Sequence, residues 1–218
     1  MKAKEIWIWI GIIVILFATL WGLIVLINPG SPNNSTPKVS TPAPATKADI
    51  TLGTADKAKA TLIEYADFQC PACAVFSQFV DQARKDFGDN LLIVYRFLPL
   101  IDAHKNAMTS AQAGFAAYKQ NRFWEMNALL YQNQNSWAES DNAQTIFTGY
   151  AKKLNLNLDQ FAKDYNSDVA KKFIEAERTE GVSIGITFTP SFFIDGKLIE
   201  NVQSYDAFKQ IIQNAINK

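Results

Sequence analysis

Glu64-Tyr65-Ala66-Asp67-Phe68-Gln69-Cys70-Pro71-Ala72-Cys73 is the stretch from which the rest of the 218-residue chain is read. Its first half closes an apolar and aromatic run, Thr61-Leu62-Ile63-Glu64-Tyr65-Ala66-Asp67-Phe68, that reads as a strand. After the cysteines, Phe76, Phe79, Val80, Ala83 and Phe87 recur at helical spacing until Gly88 ends the pattern. A second apolar run, Leu91-Leu92-Ile93-Val94-Tyr95-Arg96-Phe97, reads as another strand. Strand, helix and strand in that order make a βαβ unit, whose two strands are expected to be parallel and largely buried.

The cysteine pair sits where that strand turns into the helix. Cys70 falls at or near the N-cap, where unpaired backbone N–H groups and the positive end of the helix dipole favour a thiolate. Pro71 suits the first helical turn, where its missing N–H costs nothing. Cys73 lies inside that turn, within reach of Cys70 and less exposed. The two-residue spacer thus supplies one attacking thiolate and one resolving thiol. Half of a zinc site is the first rival reading, but these are the only two cysteines and the chain has one histidine. An inert structural disulfide would close too short a loop to constrain the unfolded chain much. Neither it nor coincidence explains the strand-to-helix position, so the pair reads as a redox dithiol that needs no cofactor or metal.

Glu64 stands six residues before Cys70 at an alternating strand position. Two readings stand: a carboxyl buried beneath the dithiol that relays the proton of Cys73, or one facing outward at a strand edge. Asp67 reads as a surface or turn residue, and His104 as an exposed helix-start residue without a role. Thr189-Pro190 precedes the run Ser191-Phe192-Phe193-Ile194, a third strand. A proline there removes a ladder donor and suits a turn or a cis bond. Asp195-Gly196 then signals a hairpin, Lys197-Leu198-Ile199 returns, and a last helix over 204–217 follows Ser204 as N-cap.

From Pro99 to Pro190 there is no proline, and segments 103–119, 121–132, 142–154, 158–165 and 168–180 carry apolar residues at helical spacing. They read as a helical insertion of about 75 residues, over roughly 103–180, in an α/β frame. No internal repeat is visible.

The first 48 residues are a different material. Residues 6–27 carry no charge, and at ~1.5 Å per residue they make ~33 Å of helix, enough for a ~30 Å hydrocarbon core. A cleaved signal peptide has a shorter apolar region and a small-x-small site, whereas this run leaves through Leu26-Ile27-Asn28-Pro29. The expectation is an uncleaved transmembrane anchor. Lys2 and Lys4 precede it and the next cation is Lys38, which places residues 1–5 in the cytoplasm and the rest of the chain outside. Residues 28–48 hold five of the eight prolines among Ser, Thr, Asn and Ala and read as an extended linker, up to ~65 Å long. The domain proper is then 49–218. Formal charge is zero, 21 cations against 21 acids, so a nucleic-acid footprint is excluded.

EYADFQCPAC, the long helical stretch and TPSFFIDGKLI together resemble the DsbA-like branch of the thioredoxin superfamily over roughly residues 50–218. The chain is similar also to membrane-tethered members of that branch on bacterial cell surfaces. The resemblance implies a thioredoxin fold with an inserted helical subdomain, preceded here by one N-terminal transmembrane helix. It implies that Cys70 forms the mixed disulfide with substrate and that Cys73 resolves it. Pro190 would be cis and lie against the dithiol, Thr189 would offer backbone hydrogen bonds to an extended substrate, and Glu64 would be the buried acid. One departure stands out: the strongest oxidases carry His where this chain has Ala72. Its loss is expected to raise the pKa of Cys70 and make the disulfide less oxidising. The function implied is an extracytoplasmic thiol–disulfide oxidoreductase, foremost a disulfide donor to exported cysteine-containing proteins. A quinone-linked membrane enzyme, DsbB-like or resembling vitamin-K-epoxide reductase (VKOR-like), would reoxidise it. The alternatives are a reductase or isomerase of the same fold, or a peptide-binding or chaperone module whose cysteines are incidental.

Overall fold

Long runs that are mostly apolar or aromatic suit a strand covered on both faces, and the centre of the sheet is built that way, with Glu64 and Arg96 as its charged exceptions. Strands β2 (Ala60–Ala66) and β3 (Leu91–Phe97) run parallel in the register Ala60 opposite Leu91 through Ala66 opposite Phe97. Helix α1 (Pro71–Phe87) joins them, with Pro71 in its first turn and Gly88 at its C-cap at φ +50°. The expected strand 61–68 stops at Ala66 because the Asp67 carboxylate turns the chain, accepting from the backbone N–H groups of Gln69 (2.8 Å) and Leu100 (2.9 Å). The computed structural model describes residues 15–20, 23 and 39–218.

Strand β4 (Ser191–Ile194) pairs antiparallel with β2, and β5 (Lys197–Ile199) pairs with β4 through the Asp195-Gly196 turn. Both turn residues have positive φ, +47° and +77°, as the tight hairpin requires. A short edge strand, β1 (Ile50–Leu52), lies antiparallel to β3; three residues are too few for a periodic signal in the sequence. The sheet order is β1-β3-β2-β4-β5. A final helix, α8 (Tyr205–Ile216), is capped by the Ser204 side chain.

Between β3 and β4 come α2 (Ala107–Tyr118), α3 (Phe123–Gln132), α4 (Gln134–Trp137), α5 (Ala143–Lys153), α6 (Leu158–Tyr165) and α7 (Asp168–Ser183). They match the expected segments to within a few residues, except that residues 103–106 form turns and α4 is an additional short helix. α2 owes its central place to small residues. A Cβ on Gly114 would meet Phe68 Cε2 at 2.8 Å, so this position has room for nothing larger.

The sheet has two covered faces. Leu62, Ile93, Phe192 and Ile194 pack with Val80, Ala83, Phe208 and Ile212 of α1 and α8, and Tyr95 and Phe97 pack into the helical insertion. On the other face Ile63, Tyr65, Leu92, Val94 and Phe193 are joined by Ile184, Ile186, Val39 and Ala45. Residues 39–48, expected to end a free linker, therefore belong to the domain, whose compact unit begins at Val39. The reason is polar as well as apolar. Ser40 N–H donates to Ile184 O, Ala43 N–H to Glu180 Oε1, and Arg96 Nη2 to Pro44 O. Arg96, buried to 5% exposure, also binds Asp49 at 2.9 Å.

Residues 15–20 and 23 are helical, and among the described residues no helix is long and apolar enough to cross a membrane. The remainder of the expected span 6–27, the expected cytoplasmic residues 1–5 and linker residues 28–38 lie outside the described residues.

Candidate active site

Cys70 occupies the N-cap of α1 with extended backbone (φ −69°, ψ 122°), so its side chain faces the free end of the helix. Cys73, one turn in, is fully buried, while Pro71 and Ala72 between them are exposed. Both thiols are free. Cys70 Sγ donates to the backbone carbonyl of Thr189 at 3.3 Å, and the Thr189–Pro190 bond is cis. The two motifs that are 119 residues apart in sequence are thus one site.

The surroundings split the two thiols. Cys70 is drawn down to about 5, first by the hydrogen bond from the Cys73 thiol, against the opposing effect of burial, then by the Thr189 side chain and the backbone N–H groups of Cys73 and Ala72. Cys73 moves the other way: burial, the hydrogen bond to Cys70 and the charges of Cys70 and Glu64 hold its proton on. The thiolate of Cys70 is therefore strongly favoured without an imidazole at position 72; the helix terminus and Cys73 supply the stabilising donors.

Glu64 lies on the α1 side of the sheet in central strand β2, 2% exposed, between Tyr95 of β3 and Phe192 of β4. The outward-facing reading is thereby removed. Burial, with the negative charge of Asp81 added, pushes its carboxyl up to about 8. The charge of Glu64 also acts on Cys73, so a carboxyl that holds its proton near neutrality lies within electrostatic reach of the buried thiol.

Several residues that hold the site had no legible role. Asp67 is buried, not a surface residue, and His104 Nδ1 lies 2.7 Å from its Oδ2. Gln69 Oε1 accepts from Asn106 N–H at 2.5 Å, and its amide reaches Ala138 O at 2.8 Å. Gln134 of α4 donates to Phe68 O (2.7 Å) and to Cys70 O (3.0 Å). These partners are 37 to 69 residues apart, and no periodicity or motif marks them. Exposed apolar side chains, Val75 on α1 and Phe188 just before Thr189, stand near the two motifs in sequence.

Comparison with known proteins agrees with this geometry. The family described as Thioredoxin matches residues 45–214. Among solved structures, oxidised BdbD from Bacillus subtilis superposes with a TM-score of 0.72 at 21% identity, covering 83% of this chain and 100% of that one. Alpha-DsbA1 from Wolbachia pipientis gives 0.70 at 23%, covering 79% and 93%. The thiol-disulfide oxidoreductase MdbA from Corynebacterium diphtheriae gives 0.65 at 20%, covering 84% and 97%. At these identities the shared property is the fold, a DsbA-like one with its helical insertion. Curated relatives include the Na(+)/H(+) antiporter NhaA 1 of Mycolicibacterium gilvum, 34% identical over 139 residues that are 63% of this chain and 22% of that protein. The NhaA antiporter of Herminiimonas arsenicoxydans is 31% identical over 203 residues, 91% of this chain and 31% of that protein. The chain spans between a fifth and a third of the length of these relatives. With the family matched over most of its length and the paired cysteines seated at the head of α1, the chain belongs to the thioredoxin family.

Proposed function

We propose that residues 39–218 act as a thiol–disulfide oxidoreductase, working as a disulfide donor to exported proteins. A substrate thiolate attacks Cys70 Sγ of the Cys70–Cys73 disulfide, and Cys73 leaves as a thiolate that takes its proton from Glu64. The second substrate thiolate then attacks the substrate sulfur of the mixed disulfide and expels Cys70 as a thiolate. The substrate loses two electrons and the dithiol gains them. Thr189 and Pro190 line the approach to Cys70, where a substrate strand would lie. A quinone-linked membrane enzyme, DsbB-like or VKOR-like, is the oxidant that restores the disulfide. Residues 6–27 hold the domain at the outer face of the membrane in this reading, with the N-terminus in the cytoplasm.

The single observation that carries the reading is the placement of the two thiols, Cys70 at the N-cap of α1 against Thr189 and cis Pro190 and Cys73 one turn in and fully buried, which draws Cys70 down to about 5 and pushes Cys73 up. A stabilised leaving thiolate stabilises the reduced form and so makes the disulfide a better oxidant. The test is the reduction potential of the full chain, equilibrated in glutathione buffers and read by thiol alkylation. A value near ~−120 mV supports the donor; one near ~−270 mV selects the reductase instead, the direction that Ala72 favours. Cys70→Ser separates both from a peptide-binding module, which would keep its activity.

A further inference from the structure

The oxidoreductase reading, on which this inference rests, sets a problem of proton movement that the dithiol alone does not solve. Glu64 gives a proton to Cys73 in one half-reaction and must be able to accept it in the other. At neutral pH the carboxyl holds its proton in the reduced protein, so one proton enters from solvent after each substrate oxidation and leaves before each reoxidation. Yet Cys73 has no accessible surface and Glu64 is 2% exposed.

Glu64 Oε1 and Tyr131 Oη, with Tyr165 Oη and Thr189 Oγ1, are the buried side-chain atoms without a hydrogen-bond partner among the described residues, and the Tyr131 hydroxyl stands beside that of Tyr95, which faces Glu64 across the sheet. Buried polar atoms without protein partners are the places where water or a transferred proton is accommodated. Tyr131 comes from α3, is 6% exposed, and packs its ring on Phe68 with centroids 5.1 Å apart. It also lines a cleft of about 380 Å³ between α1 and α3, together with Ala74, Ser77, Gln78, Asp81 and Asn127. Tyr131 therefore belongs both to the buried acid's neighbourhood and to an opening. Asp81, exposed on α1, lines this cleft and the adjoining one that contains Arg84 and Lys85.

We propose that the cleft between α1 and α3 is the port through which Glu64 exchanges protons with solvent, Tyr131 relaying at its inner wall and Asp81 serving as the acid at its mouth. Both act through Glu64 and neither touches the reacting sulfurs. The groups facing Glu64 are Tyr95 of β3, Cys73 and Asp81 of α1, and Tyr131 of α3, with Asp67 near Tyr95 and Phe192 of β4 uncharged. Burial raises the proton affinity of Asp81, with Lys85 and Arg84 opposing it. Removing the Tyr131 hydroxyl or the Asp81 charge should slow only the step that needs Glu64 to change protonation.

The experiment uses the full chain, loaded at Cys70 as the mixed disulfide with glutathione. Release of glutathione by Cys73 is followed alongside the alkylation rate of Cys70 in the reduced protein. Below about pH 8, where Glu64 is protonated, Tyr131→Phe is expected to slow release about ten-fold and Asp81→Asn several-fold, with alkylation within about two-fold of the parent. Imidazole, a small diffusible proton carrier, should restore much of the lost rate in both variants but not in Glu64→Gln. Release within about two-fold of the parent in both variants would overturn the port, as would equal slowing of alkylation without imidazole rescue. If the unmodified chain itself never releases glutathione, the oxidoreductase reading fails, and the port with it.

Discussion

Unfolding the reduced and the oxidised chain side by side from about pH 4.5 to 9 isolates the Cys70 thiolate as a contribution to stability. The reduced folded protein holds this thiol at about 5, against an ordinary value of 9.0 in the unfolded chain. Because the folded value is the lower one, the contribution is complete above the unfolded value and is lost as pH falls through about 5. Between those limits it grows by ~1.4 kcal/mol per pH unit, which gives ~2.7 kcal/mol at pH 7. Water at the rim of the site screens part of that, so ~1.5–2.5 kcal/mol is expected. For a domain of this size each kcal/mol is about 2–4 °C in Tm, so the reduced form should gain roughly 4–8 °C at pH 7 relative to its value near pH 5.

The oxidised chain is the control because it has no thiolate. Glu64 and Glu177, both pushed up to about 8 by burial, act with the opposite sign and disfavour the fold as pH rises. They are present in both redox forms and largely cancel in the difference. Loss of the disulfide adds an offset that does not vary with pH. A reduced-minus-oxidised difference that stays flat between about pH 5 and 8.5 would refute the assignment of a stabilised thiolate to Cys70. Cys70→Ser, which cannot form the disulfide, should lack the rise in stability with pH that separates the reduced parent from the oxidised one.

Three further outcomes are expected from packing and polar contacts. Gly114→Ala puts a Cβ 2.8 Å from Phe68 Cε2, and that ring is held by Tyr95, Phe97, Phe123 and Tyr131. Urea denaturation should register a loss of about 1–3 kcal/mol in spite of alanine's better helix propensity. Gln134→Leu strips a donor from Phe68 O and one from Cys70 O, though Cys70 O keeps Ala74 N–H; about 1–3 kcal/mol is expected in the same assay. Arg96→Met leaves the buried Asp49 carboxylate unpaired and should cost about 3–5 kcal/mol. Limited proteolysis should then cut within residues 39–48, which that arginine helps to hold.

The sheet centre was legible because β2 and β3 are mostly apolar runs of β-forming residues, and α1 because Pro71 and Gly88 mark its ends. Cys70, Cys73 and Pro190 were legible because each has a chemistry that few positions tolerate, whereas Thr189 was marked only by the resemblance. Glu64 was only half legible: alternation gave its position in the strand, but which face is covered depends on α1 and the insertion packing there. The seating of residues 39–48 was not legible at all. Their Pro, Thr and Ala look like linker in isolation, and the groups that bind them, Arg96, Glu180 and Ile184, stand from 52 to 144 residues away. Asp67 misled for a related reason. A carboxylate in a turn reads as exposed unless the two backbone N–H groups and the imidazole that surround it are known.

The helical insertion has a direct bearing on the acidity of Cys70. Carbonyl dipoles pointing at a sulfur oppose a thiolate, whereas N–H groups favour it. In the turn before α1, the carbonyl of Phe68 is taken up by Gln134, and that of Cys70 by Gln134 and Ala74. Gln69 is held by Asn106 and Ala138 of the insertion. With the turn fixed this way, the backbone N–H groups of Ala72 and Cys73 are left to face Cys70 Sγ. The insertion thus does for this dithiol part of what an imidazole at position 72 would do, by ordering the backbone instead of adding a charge. Loosening the turn from the insertion side should therefore raise the Cys70 pKa even where neither cysteine nor its helix is altered. Gln134→Leu, scored for its alkylation pH profile as well as its stability, reads that coupling directly: a midpoint that stays at about 5 would mean that the helix terminus suffices alone.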